Sequence, residues 1–440
     1  MEIVVKIAQL ILSLSILVIL HEFGHFIFAK IFKTRVEKFY LFFNPGFSLF
    51  RFRKGETEYG MGWLPLGGYV KISGMIDESM DKEQMKKEPQ PWEFRSKPAW
   101  QRLLIMLGGV TMNFILAILI YASVLFVWGE QYLPAENVTY GISASPVAQQ
   151  IGFQNGDKIV SVEGKQVKKF SEIPKTILLE KANTVTVERN GQIQQVSIPD
   201  SLFPKLLDNP QFISFRIPAV VGGFSDQSPA KEAGIEPGDR IVEVNGQDVR
   251  FMDQLRDVLD HQKGEEISVT VERDGSTQTF DLTTTSEGLM GFYVGNLNDY
   301  FQLEERRYSF AAAIPAGISK GVTTFKEYIQ QLGLIFTPET EAYKEVGGFI
   351  TIGKIFPGVW DWYAFWNLTA FLSIILAIIN VLPIPALDGG HVMFLFYEIL
   401  SGQKPSDKFL EYAQIAGMLI VLALIIYANG NDIVKLFTNQ

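Results

Sequence analysis

The stretch "VILHEFGHFIFAK" (residues 18–30) decides how the rest of the chain is read. It places His21, Glu22 and His25 directly after residues 7–20, a run without a single charge. Successive helical side chains turn by about 100°, so His21 and His25 stand about 40° apart and Glu22 about 60° from His25. Two imidazoles one turn apart can ligate one zinc ion, and the carboxylate beside them can move protons without being a ligand. Ionisable groups at membrane depth are costly and keep partners, so the placement asks for a cation and a third ligand.

Outward from this motif, the chain has 440 residues, 47% of them hydrophobic, which suggests several structural units rather than one. Net charge is −9 and no long basic run is present, which argues against a nucleic-acid partner. The absence of cysteine excludes disulfides, thiolate metal sites and a Cys nucleophile, and leaves the compartment open. Four histidines occur, at 21, 25, 261 and 391.

Four segments are long and apolar enough to span a bilayer: 4–28, 103–128, 363–387 and 412–428. Trp128, Tyr132, Trp360, Trp362 and Trp366 stand at segment ends, where amphipathic rings favour the interface. The first segment lacks an A-x-A-like cleavage site and reads as a retained helix rather than a signal peptide. Between it and the second lie 13 Lys/Arg, counted from Lys30 to Lys97, and positive-inside bias makes this loop cytoplasmic. Both termini and the region 130–360 are then extracytoplasmic. The loop opens with short aromatic and polar runs broken by Asn44-Pro45-Gly46, Lys54-Gly55 and Gly67-Gly68, which predict β-hairpins. Two readings stand for them: a small soluble sheet, or a sheet dipping into the membrane beside the first helix.

The large region contains a repeat. "GFQNGDKIVSVEG" (152–164) and "GIEPGDRIVEVNG" (234–246) share seven of thirteen positions at an offset of 82 residues. Each follows a Ser-Pro and a short helical stretch, and each precedes alternating strands with an N-G or D-G turn. The pattern predicts two similar α+β modules, and G-D-x-I-V-x-V-x-G resembles bacterial PDZ domains, which generally bind extended peptides at a sheet edge. Likeness to the permuted bacterial form would put the second module's peptide-binding turn at Gly291 and Phe292.

For the third ligand the chain offers Asp388 in "NVLPIPALDGGH" (380–391), beyond a membrane segment broken by Pro383 and Pro385. Asp-Gly alone is more often a turn, and the location is what singles it out. His391 reads as a structural or supporting residue and His261 as solvated. Gly108 and Gly109 in "GGVTMNF" (108–114) read as packing positions for another helix. Asn113 and Asn380 are buried amides that need partners, and Asn380 is placed to hold an unwound substrate backbone.

HEFGH in the first helix, GxxxN in the second and NxxPxPxLDGG in the third together resemble the site-2 protease family of intramembrane zinc metalloproteases (M50). The tandem modules narrow the resemblance to its RseP-type members, which regulate sigma-E. The resemblance covers nearly the whole chain. It implies His21, His25 and Asp388 as zinc ligands, Glu22 as catalytic base, and Asn380, Asn113 and Gly109 as substrate-contacting positions. It also implies that 35–75 is a membrane-associated β-loop holding substrate as a strand, and that the PDZ pair filters substrates by size. The substrates implied are single-span membrane proteins, such as an anti-sigma factor after a first cut, or signal-peptide remnants.

The expected fold is thus a polytopic α-helical membrane protein of the bacterial inner membrane. It has four transmembrane helices, a membrane-associated β-hairpin loop and two extracytoplasmic α+β PDZ domains. The expected boundaries are helix 1 at 1–30, β-loop at 31–101, helix 2 at 102–128, modules at 135–218 and 219–298, an amphipathic connection at 299–362, helix 3 with the Asp388 motif at 363–400, and helix 4 at 411–429. The chain is expected to act as a monomer with Zn2+, its site near the cytoplasmic side. Two competing classes are a membrane PDZ scaffold with a structural metal and a metal transporter. Three converging ligands with Glu22 retained argue against the first, and the lack of further ligands along the other helices against the second.

Overall fold

The computed structural model describes residues 2–75, 88–337 and 340–438. It divides into two compact units, one built from 1–129, 307–336 and 343–440, the other from 130–306 and 337–342.

In the first unit, α1 (Glu2–Ile31), α2 (Ala99–Val127) and α10 (Trp362–Val381) are apolar enough to cross a membrane, as is 408–437 within α12 (Asp407–Thr438). Many apolar residues of α12 remain exposed, Leu419, Leu422 and Ile426 among them, as on a helix that faces lipid. The buried face of α1 reads Gln9, Ser13, Leu17, His21, Gly24, His25, Ala29, the three-and-four spacing of a packed helix. Toward its C-terminal end α1 crosses the first part of α2 backbone to backbone. A Cβ on Gly24 would lie 2.2 Å from the Gly108 carbonyl oxygen, and one on Gly108 2.5 Å from that of Gly24. Small residues at such a crossing let two helices gain dispersion contacts that lipid cannot replace.

Between α1 and α2 four strands form a sheet in the order β2-β3-β1-β4: β1 (Val36–Phe43), β2 (Phe50–Lys54), β3 (Thr57–Met61) and β4 (Leu64–Ile72). The β2–β3 pair is the expected hairpin, but β1 runs parallel to β3 and antiparallel to β4. Phe39 stacks edge-on to Phe26 of α1, and Val36 and Ile72 join Ala29, Ile105 and Met106 in one core, so the sheet is held against the helix pair. The counted cations Lys82, Lys86 and Lys87 lie outside the described residues.

The second unit holds the repeat. The first module contains α3 (Pro146–Ile151), β7 (Lys158–Val162), β8 (Thr184–Arg189) and β9 (Gln192–Ser197); the second contains α6 (Pro229–Glu232), β12 (Arg240–Val244), β14 (Glu266–Arg273) and β15 (Ser276–Thr283). Ser145 and Ser228 cap the two short helices by accepting the Ala148 and Lys231 N–H, with Pro at the first helical position of each. In both modules the repeated Gly-Asp turn is pinned by an arginine at the end of a strand. Arg189 makes two 2.7 Å bonds to Asp157, and Arg273 bonds Asp239 at 2.7 and 2.6 Å. Each module buries its own aliphatic core. Gly291 has φ +77°, and Phe292 opens β16 (Phe292–Tyr293), which pairs on one side with β11 (Gly223–Phe224).

Two stretches differ from expectation. The connection at 299–362 contains a 26-residue helix, α8 (Phe310–Ile335), that docks along α2. Gly317 would meet Ala122 backbone at 2.6 Å, Gly321 lies against Ile118, and Phe325 is 5.3 Å from Phe114. The stretch 363–400 is two helices rather than one. Pro383 and Pro385 cannot donate to a helical ladder, so α10 ends at Val381 and α11 (Asp388–Ser401) begins afresh at Asp388. The linking turn includes Ala386 at φ +95°. It is gripped by glycines: a Cβ on Gly390 would lie 2.5 Å from Pro385 Cα, and one on Gly389 2.1 Å from the Leu382 oxygen.

Candidate metal centre

Two chain segments far apart in sequence, α1 and the start of α11, bring three donors to one point. His21 Nε2 and His25 Nε2 are 3.2 Å apart, and each is 3.2 Å from Asp388 Oδ2. Both histidines are buried, with ring planes at 81° and centroids 4.9 Å apart. Tetrahedral zinc with bonds of about 2.0–2.2 Å spaces its ligand atoms about 3.3–3.5 Å apart, close to this triangle. Asp388 Oδ2 is buried with no hydrogen-bond partner, a costly state for a carboxylate oxygen without a cation. His25 Nδ1 is 2.9 Å from the Ile105 carbonyl, so its N–H donates there and Nε2 is free to offer a lone pair. Two nitrogens and one carboxylate oxygen form a borderline-hard donor set suited to zinc, and the residues present fit the ion. Among the described residues this is the one such cluster of three His, Cys, Asp or Glu.

The surroundings are built by the neighbouring elements. Gly109 of α2 lies under the two rings: a Cβ there would be 2.5 Å from His25 Nε2 and 2.6 Å from His21 Cε1. Asn113 Nδ2 is 3.2 Å from His21 Nδ1, and Asn380 Nδ2 is 3.4 Å from His21 Nε2. Glu22 faces β4, where its Cγ would be 3.7 Å from a Cβ on Gly68. A cavity of about 480 Å3 opens onto His21, Glu22, His25, Asp388, Gly68 and Val70. A peptide lying along β4 could reach Glu22 and the donor triangle together.

Seven of the nine residues singled out from sequence thus meet within this unit: His21, Glu22, His25, Asp388, Asn380, Asn113 and Gly109. Gly291 and Phe292 belong to the other unit. His391 lines the same cavity but stands outside the donor triangle, and His261 is exposed. The sequence reading missed the Ile105 carbonyl and Gly24. Main-chain groups carry no side-chain signature, and the glycine inside HEFGH is not marked out by the metal-binding pattern around it.

A model of Peptidase family M50 matches residues 9–424. The chain belongs to Peptidase family M50. It is an enzyme of that family, a metalloprotease, as the HEFGH motif led us to expect. Regulator of sigma-E protease RseP from Salmonella typhimurium is 28% identical over 459 residues, covering 98% of this chain and 99% of the relative. Protease RseP from Yersinia pestis is 29% identical over 474 residues, covering 99% and 100%. A Neisseria meningitidis protein whose name includes zinc metalloprotease is 28% identical over 451 residues, covering 97% and 98%. The M50 match begins within α1 and ends within α12, so the family likeness spans both units.

Proposed function

We propose that this M50 enzyme is a zinc-dependent intramembrane endopeptidase that cuts single-span membrane proteins inside the bilayer. The observation that carries the reading is the donor triangle formed by two buried histidines of the apolar helix α1 and Asp388 of α11, beside the Glu22 carboxylate and β4. His21, His25 and Asp388 would hold a zinc ion, which would supply Lewis acidity toward the scissile carbonyl and toward a water molecule. Glu22, within the same cavity, takes a proton from the attacking water and returns it to the leaving amine as the C–N bond breaks. An unwound substrate segment adds to the sheet at β4, where main-chain groups give affinity without demanding a side-chain sequence. Gly68 lets β4 lie close against Val18 and Glu22 of α1, and the Asn380 amide stands close enough to the site to hydrogen-bond the substrate backbone.

The protein is read as a multi-pass protein of the bacterial inner membrane, acting as a monomer, with both termini and the second unit outside and the site toward the cytoplasm. The two α+β modules are read as PDZ domains. Their shared element order and the one-sided pairing of β16 at Gly291 and Phe292 support this, and as a pair they screen substrates by size. Anti-sigma factors already cut once, and leftover signal peptides, are the substrate classes this assigns.

The test is Glu22→Gln in reconstituted liposomes with a single-span substrate. Cleavage is expected to vanish while one zinc per chain stays bound; normal cleavage by this variant would remove Glu22 from the mechanism.

A further inference from the structure

We infer that the Ile105, Gly109, Asn113 row of α2 is a seat for the two histidines, with Asn113 fixing the ring proton of His21, rather than a surface that touches substrate. The inference rests on the zinc-site reading above and adds how the ligands are oriented.

The three positions recur every four residues, so they line one face of α2. They oppose His21 and His25, themselves four apart on α1. Each does a different job. The Ile105 carbonyl accepts the His25 Nδ1 proton at 2.9 Å. Gly109 supplies the space, since a Cβ there would overlap both rings. Asn113 meets His21 Nδ1 at 3.2 Å. Asn113 is fully buried, its own carbonyl accepts the Ser373 hydroxyl at 2.8 Å, and neither it nor Gly109 lines the substrate cavity. A residue so enclosed does not contact a peptide on β4.

The chemistry of His21 decides which amide atom faces it. If the Asn113 N–H donates to Nδ1, the neutral ring must carry its proton on Nε2, the atom that faces His25 Nε2 and Asp388 Oδ2. That tautomer has no lone pair for a metal. It also leaves Asn113 Oδ1 as found, buried with no partner. Turning the amide about Cβ–Cγ lets Oδ1 accept the Nδ1 proton, pairs the orphaned oxygen and frees the Nε2 lone pair. His21 and His25 then share one arrangement, each donating from Nδ1 to an acceptor on α2 and each presenting Nε2 inward. Such outer partners fix the ligand tautomer and are worth about 10–100-fold in metal affinity.

The test is zinc competition with a chelator on purified wild-type, Asn113→Leu and Asn113→Asp protein, with KM measured alongside. Leu has the amide's size but no acceptor, and should weaken zinc about 10–100-fold. Asp restores the acceptor and should bind zinc nearly as wild type. Wild-type zinc affinity in Asn113→Leu, with only KM raised, overturns the inference in favour of substrate contact. Should that variant not fold, 15N-histidine NMR of zinc-loaded wild type decides. His21 protonated at Nδ1 and ligated through Nε2 supports the seat, and ligation through Nδ1 overturns it. Absence of zinc binding by the wild type would instead defeat the zinc-enzyme reading itself.

Discussion

At the scale of residues, Gly109 shows how a position can matter through what it lacks. The sequence offered it as a packing glycine, and glycines in membrane helices are common for that reason alone. Only the fold shows that its missing side chain is where two imidazoles stand. Gly109→Ala should therefore displace both ligands and lower zinc affinity at least about 10-fold, with the helix itself slightly favoured by alanine's propensity. Gly430, in α12 with nothing within 4 Å of a Cβ, is the matched control, and Gly430→Ala should leave metal content unchanged while gaining the same helix propensity. Inductively coupled plasma measurement of bound zinc separates the two variants. The residues that converge were legible, because His21, Glu22 and His25 are ordered by helical spacing and Asp388 is singled out by the prolines before it. Ile105 was not, since it acts through its carbonyl.

At the scale of elements, the repeat was legible as similar sequence, and the structure gives the reason for part of it. Asp157 and Asp239 are almost fully buried, and each is held by a strand-end arginine and by a turn N–H, that of Gln154 or Glu236, at 2.9 Å. Burial alone would raise the Asp239 pKa, but the Arg273 bonds and the Glu236 N–H outweigh it, and the carboxyl titrates below its ordinary range. A depressed folded-state pKa means stability that is present above the unfolded value, about 3.9, and lost as pH falls through the folded value. Arg273→Ala leaves a buried carboxylate with its turn N–H, and should cost the second module about 2–3 kcal/mol at pH 7. Urea unfolding of the full chain, followed by circular dichroism, should show that gap shrinking as pH drops below about 4. A gap independent of pH would mean the arginine acts through packing instead. Other elements were less legible. α8 lacks the uniform apolar composition of a span, and its docking is decided by Gly317 and Gly321 meeting α2. The parallel β1–β3 pairing joins strands that adjacent hairpins do not predict.

At the scale of the whole molecule, four apolar helices alternate with one basic loop and one large polar region, and this order was readable from hydropathy because lipid admits few alternatives. What hydropathy cannot carry is orientation, which rests on the Lys/Arg of the 30–97 loop. The cysteine-free chain makes a direct measurement simple, since one introduced thiol is the sole target of a maleimide. Lys54 at the end of β2 and Gln192 at the start of β9 are both exposed, so either can become cysteine without disturbing a core. In intact spheroplasts a membrane-impermeant maleimide should label Gln192→Cys at once and Lys54→Cys only after permeabilisation. The reverse pattern would turn the chain over and put the HEFGH end of α1 toward the outside. Equal labelling of both would place the sheet and the modules on one side and overturn α2 as a crossing. Because, among the described residues, α2 is the one helix apolar enough to span between residues 54 and 192, the two thiols test that single crossing, and with it the side on which the HEFGH end of α1 lies.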